Sequence, residues 1–333
     1  MSFNLHGRSL LTLADFTSPE IAHLLGLAAD LKAAKASGTE VARLTGKEIA
    51  LIFEKDSTRT RAGFEVAAFD QGAHVTYLGP TGTHMGRKES VRDTARVLGR
   101  LYDGIEFRGH DHHAVETLAE HAGVPVYNGL TQRFHPTQAL ADLLTMREVA
   151  GPDLKGVSVC FLGDVGNNVA VSLAIGAVRM GMDMRLCGPA SLWPSTQIVT
   201  ALEADARAAG GSILLTEDSS AGANGARFIY TDVWVSMGED KSLWPDRIDR
   251  LRPYRVDREM LQRTGRDDVR FLHCLPAFHD AQTEIGAQLC RDHHLDGIEV
   301  SDEVFESENS IVFDQAENRM HAIKAVLVAT LGG

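Results

Sequence analysis

Phe53-Glu54-Lys55-Asp56-Ser57-Thr58-Arg59-Thr60-Arg61 follows the apolar run Ile49-Ala50-Leu51-Ile52 and precedes Ala62-Gly63-Phe64-Glu65-Val66-Ala67-Ala68. That order predicts a buried strand, a tight turn, and a helix that begins on hydroxyl side chains. The first turn of such a helix presents unpaired backbone N–H groups at the positive end of its dipole. With guanidinium groups beside them, the segment suits an anion of phosphate type without using glycines. Residues two apart lie on roughly opposite faces of a helix, so Arg59 and Arg61 cannot both point at one anion. Arg59 is assigned to the ligand, and Arg61 to Glu65 four residues on. Taken alone, the stretch reads equally as a capped helix with two surface arginines, so the rest of the chain has to decide.

Strand and helix patterns alternate on both sides of this segment. Thr17-Ser18-Pro19-Glu20 starts a helix whose apolar stripe is Ile21, Leu24, Leu25, Ala28 and Leu31, ending near Gly38. A strand at residues 74–78 leads into the glycine-rich loop 79–86. A helix with Val91, Ala95, Leu98 and Leu101 follows, then a strand at residues 105–108, a helix over 115–122 and a strand at 124–129. This alternation predicts a parallel sheet. In such sheets ligands collect at the carboxyl ends of the strands, where Arg108 stands. Pro136 suits the first turn of the next helix and offers His135 and Gln138 at the same edge, as groups able to polarise a carbonyl oxygen. The run His110, Asp111, His112, His113 lacks a second cluster with matching spacing, and it reads as a solvated helix start rather than a metal site.

Residues 150–156, Ala-Gly-Pro-Asp-Leu-Lys-Gly, interrupt the pattern, and a domain boundary is expected there. The second half restarts with a strand at 157–162 and the turn Gly163-Asp164-Val165-Gly166-Asn167-Asn168. This looks like a dinucleotide-binding turn, but Val165 stands where the second glycine should let a pyrophosphate approach. The paired asparagines suit a small polar ligand instead. Strands follow at 184–187, 212–215, 228–231 and 269–272. The third of these delivers Asp232 ahead of a turn containing Ser236 and Met237, and the last leads into His273-Cys274-Leu275-Pro276. Near the end of the chain, Arg319 shares a helical face with Ile323, Val326, Leu327 and Thr330, where its charge needs an anionic partner.

The chain has 333 residues, 44% of them hydrophobic, enough for two cores. A net charge of -12 without a basic run argues against nucleic-acid or membrane-surface partners. Four widely spaced cysteines without a C-x-x-C fit buried thiols in a reducing compartment, and with no long apolar run a cytoplasmic protein is expected.

Six ordered segments, FEKDSTRTR, FRG at 107–109, FHPTQ at 134–138, DVWVSMGE at 232–239, HCLPAFHD at 273–280 and FDQAENRMHAIKA at 313–325, resemble the aspartate/ornithine carbamoyltransferase family, ornithine carbamoyltransferases most closely. The likeness runs along nearly the whole chain. It implies an α/β protein of two Rossmann-like three-layer domains, each with a parallel sheet, and an active site in the cleft between them. The carbamoyl phosphate domain would span 1–150, joined by a C-terminal helix at 315–333, and the ornithine domain 151–314.

By this resemblance Ser57, Thr58, Arg59 and Thr60 match the phosphate cradle. Arg108, His135 and Gln138 match donors to the phosphate and carbamoyl oxygens, and Arg319 matches the closing guanidinium. Asn168, Asp232, Ser236 and Met237 match the ornithine site, and Cys274 with Leu275 matches the segment that bridges the substrates. Arg108, His135 and Cys274 are the expected catalytic residues. His84 stands where the family often places a glutamine that reaches a neighbouring subunit, and an imidazole differs from it in reach and protonation. Carbamoyl phosphate and L-ornithine are the implied substrates, without cofactor or metal, in a homotrimer or an assembly of trimers. Aspartate and putrescine carbamoyltransferases, a catalytically silent binding paralogue and, on sheet pattern alone, a nicotinamide dehydrogenase are the rival readings.

Overall fold

A computed structural model of the chain describes residues 3–81, 85, 86, 88–235 and 241–332. The chain divides into two compact units. One comprises Met1–Leu144 and Glu317–Gly333, the other Thr145–Ala316.

In the first unit, β1 (Glu48–Phe53), β2 (His74–Leu78), β3 (Gly104–Arg108) and β4 (Val126–Leu130) form an all-parallel sheet in the order β2-β1-β3-β4. β1 and β3 are nearly continuous buried runs, as strands covered on both faces must be. Helix α1 (Ser18–Ala36) starts where the sequence predicts. The Thr17 hydroxyl accepts from the Glu20 N–H while the Glu20 carboxylate accepts from the Thr17 N–H, and all five residues of the predicted stripe are buried. α2 (Thr58–Asp70) follows β1. α3 (Val91–Leu98) ends at a Gly99 cap, one turn earlier than the predicted stripe, which leaves Leu101 exposed. α4 (His112–Ala122) is capped by Asp111. His112 is buried against Phe134 and bonded to the Thr131 hydroxyl, so only part of that histidine run is solvated. Ile52, Ile105, Phe107, Val115, Leu118 and Val126 make the core on one face of the sheet.

The second unit carries β5 (Ser158–Leu162), β6 (Asp183–Cys187), β7 (Ser212–Thr216), β8 (Phe228–Thr231) and β9 (Arg270–His273), all parallel, in the order β7-β6-β5-β8-β9. Its longer helices are α6 (Asn168–Arg179) and α7 (Thr196–Ala209), with shorter ones at α8 (Ser219–Ala223), α9 (Trp244–Leu251), α10 (Arg258–Gln262), α11 (Glu284–His293) and α12 (Asp302–Phe305). Leu162, Ile229, Trp234, Ile248, Phe271 and Val300 belong to its core. α5 (Pro136–Ala150) and α13 (Val312–Leu331) each contain one of the points where the chain passes from unit to unit. Cys160 and Cys187 are buried, whereas Cys274 and Cys290 are half-buried; all four are free thiols. Among the described residues no helix is long and apolar enough to cross a membrane.

Both sheets have a place where the connections change direction. The chain leaves β1 for β2 on one side and then crosses to β3 on the other; in the second unit the reversal lies between β5 and β8. The crevice at the carboxyl ends of such a strand pair is where parallel sheets expose backbone and loops to a ligand. Arg108 and the turn after β1 stand at the first of these places, and Asn168 and Asp232 follow the strands at the second.

Candidate active site

Strand register builds the first cluster. Phe53 pairs with Arg108 at the carboxyl ends of β1 and β3, and the Glu54 N–H then donates to the Arg108 carbonyl at 2.8 Å. The turn after β1 therefore lies beside Arg108. Ser57 caps α2, its hydroxyl accepting from the Thr60 N–H at 3.3 Å. Thr58 is exposed and Arg59 half-buried at this helix start. Arg61 turns away as the helical period requires. Its Nε donates to Glu65 at 2.8 Å, and its guanidinium lies 3.9 Å from the centre of the Tyr77 ring.

Thr60 is fully buried, and its hydroxyl accepts from two guanidinium groups: Nη1 of Arg108 at 3.1 Å and Nη2 of Arg319, on α13, at 2.8 Å. Two cations so close, with Arg319 only 4% exposed, make a concentrated positive site at the amino end of α2. Sequence reasoning missed its counterpart, Glu106. This residue is fully buried, and neither carboxylate oxygen has a hydrogen-bond partner among the described residues. Burial pushes its carboxyl well above the usual range, against the pull of Arg108 and Arg319. The available signal was a lone acid inside the apolar strand Gly-Ile-Glu-Phe-Arg.

His135 and Gln138 stand at the amino end of α5, and both are buried. Burial, reinforced by Arg319 and then Arg108, holds His135 well below the ordinary imidazole range, so it is neutral at physiological pH. The Gln138 amide donates to Asp142 at 2.7 Å. This leaves Oε1, which has no partner among the described residues, as an acceptor.

The second cluster arises the same way. Thr231 pairs with His273 at the ends of β8 and β9, so the residues that follow, Asp232 and Cys274, come together. The Cys274 thiol donates to Asp232 Oδ1 at 3.0 Å. Asp232 also accepts from the Val233 N–H at 2.8 Å and from Asn167 Nδ2 at 3.2 Å, a bond that spans the reversal between β5 and β8. Asn167 therefore braces the carboxylate while capping α6, whereas Asn168 is the half-buried first residue of that helix. Arg247 bonds both Asp164 and the Trp234 carbonyl, stiffening the neighbouring turn. Val165 is fully buried. Leu275 is half-buried and has φ 57°, in the left-handed region. His84, Ser236 and Met237 lie outside the described residues.

The atoms of Asp232, His273 and Cys274 lie close enough to hold a metal ion, but all three already serve hydrogen bonds to each other or to nearby backbone. The two clusters thus supply an anion site rich in guanidinium groups and a braced carboxylate with a thiol on it.

Residues 8–148 match the family model described as the aspartate/ornithine carbamoyltransferase carbamoyl-P binding domain, and residues 155–330 match that of the Asp/Orn binding domain. Similar solved structures include the ornithine carbamoyltransferase of Pyrococcus furiosus, with 42% identity, TM-score 0.91 and coverage of 100% of this chain and 99% of that one. Those of Gloeobacter violaceus and Thermus thermophilus are each 37% identical, cover 98% of this chain and 99% of theirs, and have TM-scores of 0.83 and 0.80.

Proposed function

The chain belongs to the aspartate/ornithine carbamoyltransferase family, and within it we propose that this protein transfers the carbamoyl group of carbamoyl phosphate to the δ-amine of L-ornithine, giving L-citrulline and phosphate. The observation that carries this reading is the Cys274 thiol seated on Asp232 at 3.0 Å, a carboxylate braced to meet an α-ammonium. The ornithine carbamoyltransferase neighbours support the choice of amine.

In this proposal the first turn of α2, with Ser57, Thr58, Arg59 and Thr60, binds the phosphate, and Arg108 and Arg319 neutralise its charge. Neutral His135 donates to the carbonyl oxygen where negative charge develops, and Gln138 Oε1 accepts from the carbamoyl nitrogen. The δ-amine nitrogen attacks the carbonyl carbon, the bond from that carbon to the phosphate oxygen breaks, and phosphate departs with the proton the amine loses. The amine must be neutral to attack. With a pKa near lysine's, about 10.4, only about one molecule in a thousand is neutral at pH 7.4, equivalent to roughly 4 kcal/mol. Asp232 and Cys274 select that form. Asn168, Ser236 and Met237 complete the amino-acid site, Leu275 joins Cys274 in the segment that bridges the two substrates, and His84 takes the place of the family's glutamine toward carbamoyl phosphate in a cytoplasmic homotrimer serving arginine metabolism.

The test is citrulline and phosphate formation with ornithine, run beside putrescine and aspartate. Ornithine-dependent formation of both products is expected; preference for putrescine overturns the role given to Asp232.

A further inference from the structure

We propose that His273 and Glu299 form a buried positioning pair that sets the backbone of residues 274–278 and thereby aims the Cys274 thiol at Asp232. The proposal rests on the reading of Asp232 and Cys274 as the groups that receive the amine.

Both side chains are fully buried, with His273 Nε2 3.4 Å from Glu299 Oε1. On its other side, His273 Nδ1 accepts the Leu275 N–H at 2.9 Å. A backbone N–H only donates, so Nδ1 carries no proton; in the neutral ring the proton is on Nε2, which lies 3.4 Å from the carboxylate without making a hydrogen bond among the described residues. Glu299 Oε1 also accepts the Phe278 N–H at 2.6 Å. Two contiguous side chains therefore grip both ends of the short loop that carries Cys274 and Leu275.

The grip is itself anchored. The His273 N–H donates to Gln315 Oε1 at 2.9 Å, and Gln315 Nε2 donates to the Tyr230 hydroxyl at 2.9 Å, tying the end of β9 to β8, the strand that delivers Asp232. Leu275 occupies the left-handed region, which is unfavourable for a residue with a Cβ. Its N–H bond to the imidazole is one interaction that offsets this. Glu299 Oε2 has no hydrogen-bond partner among the described residues, so the carboxylate is held at a cost that an apolar residue in that core would avoid. Strained backbone and a costly buried acid beside reactive groups are features that cluster where geometry matters more than stability.

The test compares the full-length parent with His273→Phe, His273→Asn and Glu299→Gln. An Asn carbonyl can still accept from Leu275 but does not reach Glu299, and a Gln carbonyl can still accept from Phe278. Three quantities are read: the iodoacetamide alkylation rate of the Cys274 peptide from pH 6 to 9, kcat and KM for each substrate, and the urea midpoint.

A thiol hydrogen-bonded to a carboxylate gives up its proton less readily, so releasing it raises its reactivity. His273→Phe is expected to alkylate about tenfold faster at pH 7.5 and to lose about tenfold or more in kcat/KM for ornithine, with KM for carbamoyl phosphate within about threefold. His273→Asn should fall between it and the parent, and Glu299→Gln closest to the parent. A lowered urea midpoint with an unchanged Cys274 profile overturns the proposal, leaving a structural pair only. Should His273→Phe not fold, His273→Asn decides by the same readings. Alkylation needs no turnover, so a parent that makes no citrulline sinks the proposed function without disturbing this comparison.

Discussion

Arg319 donates to the hydroxyl of Thr60 at 2.8 Å across a sequence separation of 259 residues. Arg108 uses the same oxygen, so one buried hydroxyl orients two guanidinium groups toward the start of α2. Thr60→Val keeps the shape and removes the acceptor. Removing this acceptor from one buried and one half-buried guanidinium group should cost about 1–3 kcal/mol in urea unfolding and raise KM for carbamoyl phosphate about tenfold or more. An unchanged KM would mean that the arginines hold their positions without Thr60.

Gly129 and Glu106 offer a packing test. A methyl group at Gly129 would lie 1.8 Å from Glu106 Oε1, whereas one at Gly63 would meet only the flexible end of Ile323 at 3.0 Å. Gly129→Ala should therefore destabilise by about 2–3 kcal/mol. Gly63→Ala, in the middle of α2, should be within about 1 kcal/mol of neutral because better helix propensity offsets the crowding. Combining Gly129→Ala with Glu106→Ala should recover at least about 1 kcal/mol of the loss in a double-mutant cycle, and strict additivity would refute the contact.

The depressed His135 sets a pH slope. Buried beside Arg319 and Arg108, it stays neutral in the folded chain, while in the unfolded chain it titrates near about 6.5. Below that pH the unfolded state binds the extra proton, so stability falls as pH drops toward the folded value, by up to about 1.4 kcal/mol per pH unit. His135→Gln has no such group, and its urea stability between pH 6.5 and 5 should be flatter than the parent's. Parallel slopes would show that His135 titrates normally in the folded protein.

Lys324 is fully buried and donates to Glu40 at 2.6 Å and Asp70 at 2.7 Å, joining α13 to α2 and to the segment after α1. Lys324→Met strands two carboxylates that retain Gln71 and Lys35 as partners, so about 2–4 kcal/mol should be lost at pH 7. Burial pushes the Asp70 carboxyl up, but Lys324 and Lys35 outweigh it and hold it below its usual value. That contribution is complete above the unfolded value, about 3.9, and is lost as pH falls through the folded one. Unfolding of parent and variant should accordingly differ most near pH 7 and converge toward pH 3.

Much of the fold was legible because its signals are local. Thr17, Ser57 and Pro136 mark helix starts, and the apolar runs at β1, β5 and β8 mark strands covered on both faces. Helical period also placed Arg61 on Glu65, as expected. The stripe that overran α3 at Leu101 failed because Gly99 ends that helix while the apolar spacing continues past it.

The sequence by itself determined the alternation of strand and helix, the capped helix starts, and which polar residues stand at strand ends. Only the tertiary structure decided which of those groups meet. Arg319 finds Thr60, Lys324 finds Glu40 and Asp70, His273 finds Glu299, and Glu106 disappears beneath Gly129. The physical reason is that caps and periodicity act within a few residues, whereas a buried charge is governed by neighbours that strand order brings from far along the chain. Thr231 beside His273 is a matter of register, and from that register come Asp232 and Cys274, 3.0 Å apart.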